Sequence, residues 1–152
     1  MLEAGAKAPE FELESDSGKT IRLSELRGRK VVLYFYPKDD TPGCTTEACE
    51  LRDRFPEIEE KNATVLGVSP DGVKSHQRFK AKHELPFTLL SDPDHAVADA
   101  YGAWGEKKRF GKTYEGILRS TFVIDEDGVI EKVFAQVKPK GHGDEVVQAL
   151  GD

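Results

Sequence analysis

Two cysteines, Cys44 and Cys49, stand five positions apart in the stretch Pro37 to Cys49, PKDDTPGCTTEAC, and the chain has no others. A thiol attacks only as its thiolate, and the first turn of a helix, with free N–H groups and the positive end of the dipole, favours that charge. The sequence builds such a turn here. A run of strand formers, Val31 to Tyr36, leads to Thr41 as a candidate N-cap, Pro42 at the first helical position and Cys44 immediately inside. From Cys44 onward, Ala48, Leu51, Phe55 and Ile58 recur at the three-and-four spacing of an amphipathic helix. Thiol redox chemistry at a strand-to-helix junction is the chemistry these residue types could perform. Taken alone, Cys44 is better read as an inert buried cysteine on an apolar stripe, Thr41 as a plain cap and Arg119 as a surface residue before a strand.

Other uses of these residues are disfavoured. A zinc site wants closely paired ligands, whereas four residues separate the thiols and the four histidines are scattered. His76 and His83 share a helix face but lie roughly 10 Å apart along its axis, too far to chelate one ion, so they read as solvated or core-edge histidines. Neither metal nor organic cofactor is expected. A structural disulfide is not needed by a chain of 152 residues, long enough for one domain (1–152) with a real core. The formal charge of −6 opposes nucleic-acid phosphates and anionic lipid. The basic and aromatic mixture from Trp104 to Tyr114 is read as a solvated loop near the site rather than a stacking platform for single strands. No apolar leader and no membrane-length apolar run are seen, so a cytoplasmic location is expected.

The elements that must position the cysteines follow in order. Phe11 and Leu13, the turn Ser15 to Gly18 and the segment Thr20 to Leu23 predict an N-terminal β-hairpin. Ser24 is read as the cap of a short helical turn ended by Gly28. KVVLYFY, apolar almost throughout, predicts a central strand covered on both faces. The helix is expected from about Pro42 to Lys61, interrupted or bent at Pro56, with Ala63 to Ser69 a second buried strand joined by a parallel crossover. Val73 to His83 has a helical pattern, FTLLSDPD suggests a short strand, and Ala96 to Tyr101 a small helix. Trp104 to Leu118 is read as a loop, STFVID and VIEKVFA as an antiparallel hairpin across DEDG, and Asp144 to Leu150 as a closing helix. The sum is an α/β fold, a mixed central sheet flanked by helices.

The chain resembles the peroxiredoxins, in particular the bacterioferritin comigratory protein or peroxiredoxin Q group. Pro37, Thr41 and Cys44 fit that family's P-x-x-x-T-x-x-C pattern, GKTYEGILRSTFVID places Arg119 where the family has its catalytic arginine, and Cys49 falls where many members of the group carry the resolving cysteine. APEFEL, GVSPD and LLSDPD extend the likeness over almost the whole chain. The resemblance implies a thioredoxin-like fold and a thiol peroxidase acting on hydroperoxides. In that reading Cys44 is the nucleophile, Arg119 and Thr41 bind the peroxide, Pro37 shields the thiolate and Glu47 is a helper. Cys44 and Cys49 then form an intramolecular disulfide recycled by thioredoxin or another dithiol reductant. A monomer is expected, with neither nucleic acid nor membrane as partner. Rival readings are a dithiol oxidoreductase, which would present C-x-x-C, a thiol-based sensor, and a non-catalytic module on the same scaffold.

Overall fold

The computed structural model describes residues 1–151. Its centre is β3 (Lys30–Phe35), whose alternation sorts side chains between two cores. Val31, Leu33 and Phe35 point to one face of the sheet, and Val32 and Tyr34, followed by Tyr36, to the other. β3 pairs in parallel with β4 (Ala63–Ser69) and antiparallel with β8 (Ser120–Ile124), so neither of its edges is open. β4 pairs in parallel with β5 (Thr88–Ser91), and β8 continues antiparallel to β9 (Ile130–Phe134). The predicted N-terminal hairpin, β1 (Glu12–Ser15) and β2 (Thr20–Arg22), joins at the other end by pairing β1 with β5. The result among the described residues is a seven-stranded mixed sheet in the order β2-β1-β5-β4-β3-β8-β9.

Helices cover both faces. α1 (Pro42–Glu60), α2 (Val73–His83) and α4 (His142–Leu150) bury Cys44, Ala48, Leu51, Ile58, Phe79, Val146 and Leu150 against the face carrying Tyr34 and Tyr36. α3 (Ala96–Tyr101) places Ala98 and Tyr101 in the opposite core with Phe35 and Phe122. This is the expected thioredoxin-like arrangement. No helix among the described residues is long and apolar enough to cross a membrane.

Four local expectations change. α1 runs on through Pro56 without interruption; a proline removes one N–H, and the burial of Leu51 and Ile58 on either side holds the helix together. The short 3₁₀ turn begins at Leu23, and Ser24 caps nothing; instead its N–H donates to the Glu10 carboxylate at 2.9 Å. Trp104 to Leu118 is no loop but a two-stranded antiparallel ribbon, β6 (Trp104–Arg109) and β7 (Lys112–Ile117). Its tip, Phe110-Gly111, has positive φ at both residues, the two-residue turn whose twist suits a hairpin. The ribbon is polar on most of its surface, so no apolar alternation announces it. His76 is neither solvated nor at the core edge: it is fully buried.

Candidate active site

The site forms where β3 hands the chain to α1. Pro37 lies two residues beyond the strand, and the loop it opens is fixed by polar contacts. Asp39 N–H donates to the Asp71 carboxylate at 2.7 Å, and the Asp39 side chain accepts from Tyr36 Oη (2.6 Å) and Ser75 Oγ (2.8 Å). Its Oδ2 also lies 2.7 Å from Nδ1 of His76, whose Nε2 is 2.9 Å from the Leu90 carbonyl oxygen. Thr41 occupies the N-cap position as predicted, but its hydroxyl does not cap the helix. It donates to the Lys38 carbonyl at 2.9 Å.

Pro42, Gly43 and Cys44 then form the first turn of α1, where N–H groups have no acceptor within the helix. Cys44 is buried, 1% exposed, and is a free thiol, as is the half-buried Cys49. Both lie in one unbroken helix, where ideal geometry puts their Cα atoms roughly 8.7 Å apart. Arg119, at the entrance to β8, brings its guanidinium down on this turn: Nη2 donates to Cys44 Sγ at 3.2 Å and Nη1 to Glu47 Oε1 at 2.7 Å. A Cβ on Gly43 would stand 3.2 Å from Nη2 and 3.6 Å from the Pro139 ring, so this glycine makes room for the arginine.

Burial sets the electrostatics. Glu47 is 0% exposed, and desolvation pushes its carboxyl up to about 7 even though the Arg119 charge and hydrogen bond pull it down. Burial alone would lower Arg119, but the charges of Glu47 and Cys44 beside it raise it further above its ordinary value. Lys107 of β6, half-buried with Nζ donating to the Ile117 carbonyl at 2.8 Å, is lowered by desolvation and then by the positive Arg119. Tyr34 is held well above the usual phenol range by burial and then by the negative charges of Glu47 and Cys44. Its hydroxyl and Glu47 Oε2 are the two buried side-chain polar atoms without a hydrogen-bond partner among the described residues. In the sequence Lys107 reads only as part of a solvated loop near the site, and Tyr34 only as part of the central strand. Tyr34 shares a strand face with Tyr36, which was the available signal, whereas Lys107 is placed by a ribbon that the sequence does not announce.

Structure therefore brings Cys44, Glu47 and Arg119 into direct contact across 75 residues of chain, with Thr41 at the cap of the same turn and Pro37 at the start of its loop. Cys49 is left one and a half turns away. No cluster of three or more metal-ligating side chains occurs among the described residues. The arrangement presents one buried free thiol, one positive hydrogen-bond donor aimed at it, and helix N–H groups beside it, a set suited to polarising a small oxygen electrophile.

The model of the AhpC/TSA family matches residues 4–133. The peroxiredoxin Bcp of Bacillus subtilis is 52% identical over 151 residues, covering 99% of this chain and 96% of its own. A crystal structure of a cysteine-to-serine variant of PrxQ from Xylella fastidiosa superposes with a TM-score of 0.93 at 39% identity, covering 99% of this chain and 96% of that one. A structure of the Xanthomonas campestris bacterioferritin comigratory protein, described in connection with its alkyl peroxide reduction activity, superposes with a TM-score of 0.88 at 41% identity, covering 92% and 89%.

Proposed function

The chain belongs to the AhpC/TSA family and, within it, to the peroxiredoxins of the bacterioferritin comigratory group; from that premise of thiol peroxidase activity, we propose that Cys44 is its peroxidatic thiol and Cys49 its resolving one. The observation that carries the assignment is the 3.2 Å contact from the Arg119 guanidinium to Cys44 Sγ on a buried first helical turn. A charged donor at that distance stabilises the thiolate, and the same group faces the negative charge that develops as a peroxide bond breaks.

In the first step the Cys44 thiolate attacks the terminal oxygen of a hydroperoxide. The oxygen–oxygen bond breaks, its electron pair leaves with the other oxygen as hydroxide or alkoxide, a proton completes water or alcohol, and Cys44 becomes a sulfenic acid. Arg119 and the Cys44 N–H hold the polarised oxygens. The Thr41 hydroxyl proton is committed to Lys38, which leaves its oxygen to act as an acceptor for the peroxide O–H. Pro37 adds no competing N–H at the mouth.

In the second step Cys49 attacks Cys44 Sγ, the sulfur–oxygen bond breaks and water leaves. Bridged cysteines need Cα atoms within about 7 Å, so α1 must unwind between them first. Gly43, Thr45 and Thr46 are poor helix formers, which suits that change. A dithiol reductant, thioredoxin or one like it, then restores both thiols by exchange. Hydrogen peroxide and organic hydroperoxides both fit as substrates, the chain acting as a monomer in the cytoplasm. No role is assigned to nucleic acid, membrane, metal or cofactor.

Cys49→Ser tests the pairing. Cys44 should oxidise once and accumulate as sulfinic acid, seen as a gain of two oxygens by mass spectrometry, while turnover with thioredoxin stops. Normal cycling by that variant would replace the scheme with a single-cysteine mechanism.

A further inference from the structure

The unwinding of α1 has to begin at Pro42 and end somewhere, and contacts from outside the helix show where it is held. α4 opens at Gly141 and Gly143 with no side chain of its own N-cap residue satisfying its first N–H groups. The carboxylate of Glu50, on α1, does so instead: Oε2 accepts from Gly141 N–H at 3.1 Å and Oε1 from Gly143 N–H at 3.3 Å. The two helices also meet backbone to backbone there. A Cβ on Gly143 would stand 2.8 Å from the Glu50 carbonyl oxygen, closer than a side chain tolerates. One turn on, Arg54 bonds Asp144. From the other flank, Arg52 Nη1 donates to the His83 carbonyl at the end of α2, at 2.9 Å.

N-terminal to Glu50 the polar tethers are of another kind. Thr46 Oγ1 bonds back to Pro42 within the helix, and Cys44 and Glu47 are tied to the body through Arg119. The Cys44 tie is the one that oxidation alters. The segment Pro42–Cys49 thus lies between two fixed ends, the Asp39 loop held by His76 and Asp71 before it, and Glu50 held by α4 after it.

We propose that Glu50 is a positioning residue for the resolving step: by capping α4 from α1 it pins the helix immediately after Cys49, so that unwinding stops there and the resolving thiol is presented from a fixed base. This deepens the proposed Cys44–Cys49 pairing and rests on it. If Glu50 becomes the new start of α1 in the disulfide form, the N–H groups of Leu51, Arg52 and Asp53 lose their helical acceptors, while Arg54, whose acceptor is the Glu50 carbonyl, is the first to keep one.

Residue-resolved amide exchange by NMR on the reduced and peroxide-oxidised whole protein, with peptide mapping of the same oxidised sample, tests this. In the wild type, Arg54, Phe55 and Glu57 stay protected in both states. In Glu50→Ala those amides, with Gly141 and Gly143, exchange at least roughly tenfold faster than in the wild type in the oxidised form. The three α1 amides change far less in the reduced form, where the intact first turns still supply acceptors. A general loss of stability would instead speed exchange alike in both states and overturn the proposal, as would an oxidised variant whose boundary stays at Arg54. Should Glu50→Ala fail to fold, Glu50→Gln, which keeps the volume and one acceptor oxygen, reads out the same redox-dependent shift at smaller size. Absence of a Cys44–Cys49 crosslink in the mapped wild type overturns the pairing itself, whereas a crosslink with an unmoved boundary overturns Glu50 alone.

Discussion

The loop from Pro37 to Thr41 serves two buried polar clusters of opposite character. Around Asp39, the carboxylate takes Tyr36, Ser75 and His76, and the second His76 nitrogen reaches a carbonyl, so each side-chain atom in the cluster has a partner within 3 Å. Around Cys44, Arg119 is shared between a sulfur and a carboxylate, while Glu47 Oε2 and the Tyr34 hydroxyl have no partner among the described residues. A saturated network in a low-dielectric interior is rigid and costly to break; an unsaturated one keeps hydrogen-bonding capacity and stored charge for a reacting molecule. The first cluster fixes the loop and the second is free to do chemistry. Substitutions in the two should therefore separate stability from reactivity.

The largest expected effect is on chemistry alone. Cys44→Ser should abolish peroxide reduction, a loss above roughly 10⁴-fold, with an unchanged far-ultraviolet circular dichroism spectrum, because the hydroxyl is nearly isosteric but a far weaker nucleophile. Appreciable reductant consumption by this variant would remove Cys44 from the mechanism. On the other side of the comparison, His76→Ala leaves Asp39 buried without its imidazole partner and should cost about 3 to 5 kcal/mol in urea unfolding. If that variant unfolds like the wild type, the saturated cluster is not what holds the loop.

Glu47 sharpens the contrast through pH. Its native carboxyl titrates near 7 against an ordinary 4.5, so the folded protein holds a proton that the unfolded chain has already released. That contribution is fully present below pH 4.5 and is lost as pH rises through about 7, a change on the order of 3 kcal/mol. Glu47→Gln should flatten this part of the stability profile, measured as the difference from wild type in urea unfolding between pH 4 and 8. An identical slope in both proteins would show that Glu47 does not titrate there. Last, Arg119→Ala should slow Cys44 oxidation by more than tenfold, about 1.4 kcal/mol, with a smaller loss of stability. A second-order rate constant equal to that of the wild type would break its link to the thiol.

Much of this was legible from the chain. KVVLYFY announced the central strand because a strand covered on both faces is apolar throughout, and Thr41, Pro42 and Cys44 announced the helix start because caps and prolines act locally. What stayed hidden depends on partners distant in sequence. Arg119 reaches Cys44 across 75 positions, and only the family motif pointed to it. His76 reads as a solvated or core-edge histidine until Asp39, 37 residues earlier, is seen to meet it. The β6–β7 ribbon escaped because Phe110, 89% exposed, adopts a left-handed backbone that its side chain does not advertise. Glu50 carries no signal of its role in the sequence, because the α4 glycines it caps lie 91 and 93 residues further along the chain.

Beneath the site, Tyr34 lies across β4 at Gly67, where an added Cβ would fall 2.8 Å from both its Cζ and its Oη. The ring fills the volume that any side chain at 67 would need, and a core packed this closely has nowhere to move it. The two positions are therefore epistatic. Gly67→Ala is excluded on the present background and becomes tolerable only after Tyr34 has been replaced by something smaller. That makes the order of substitutions, and not merely their sum, a constraint on how this chain can evolve.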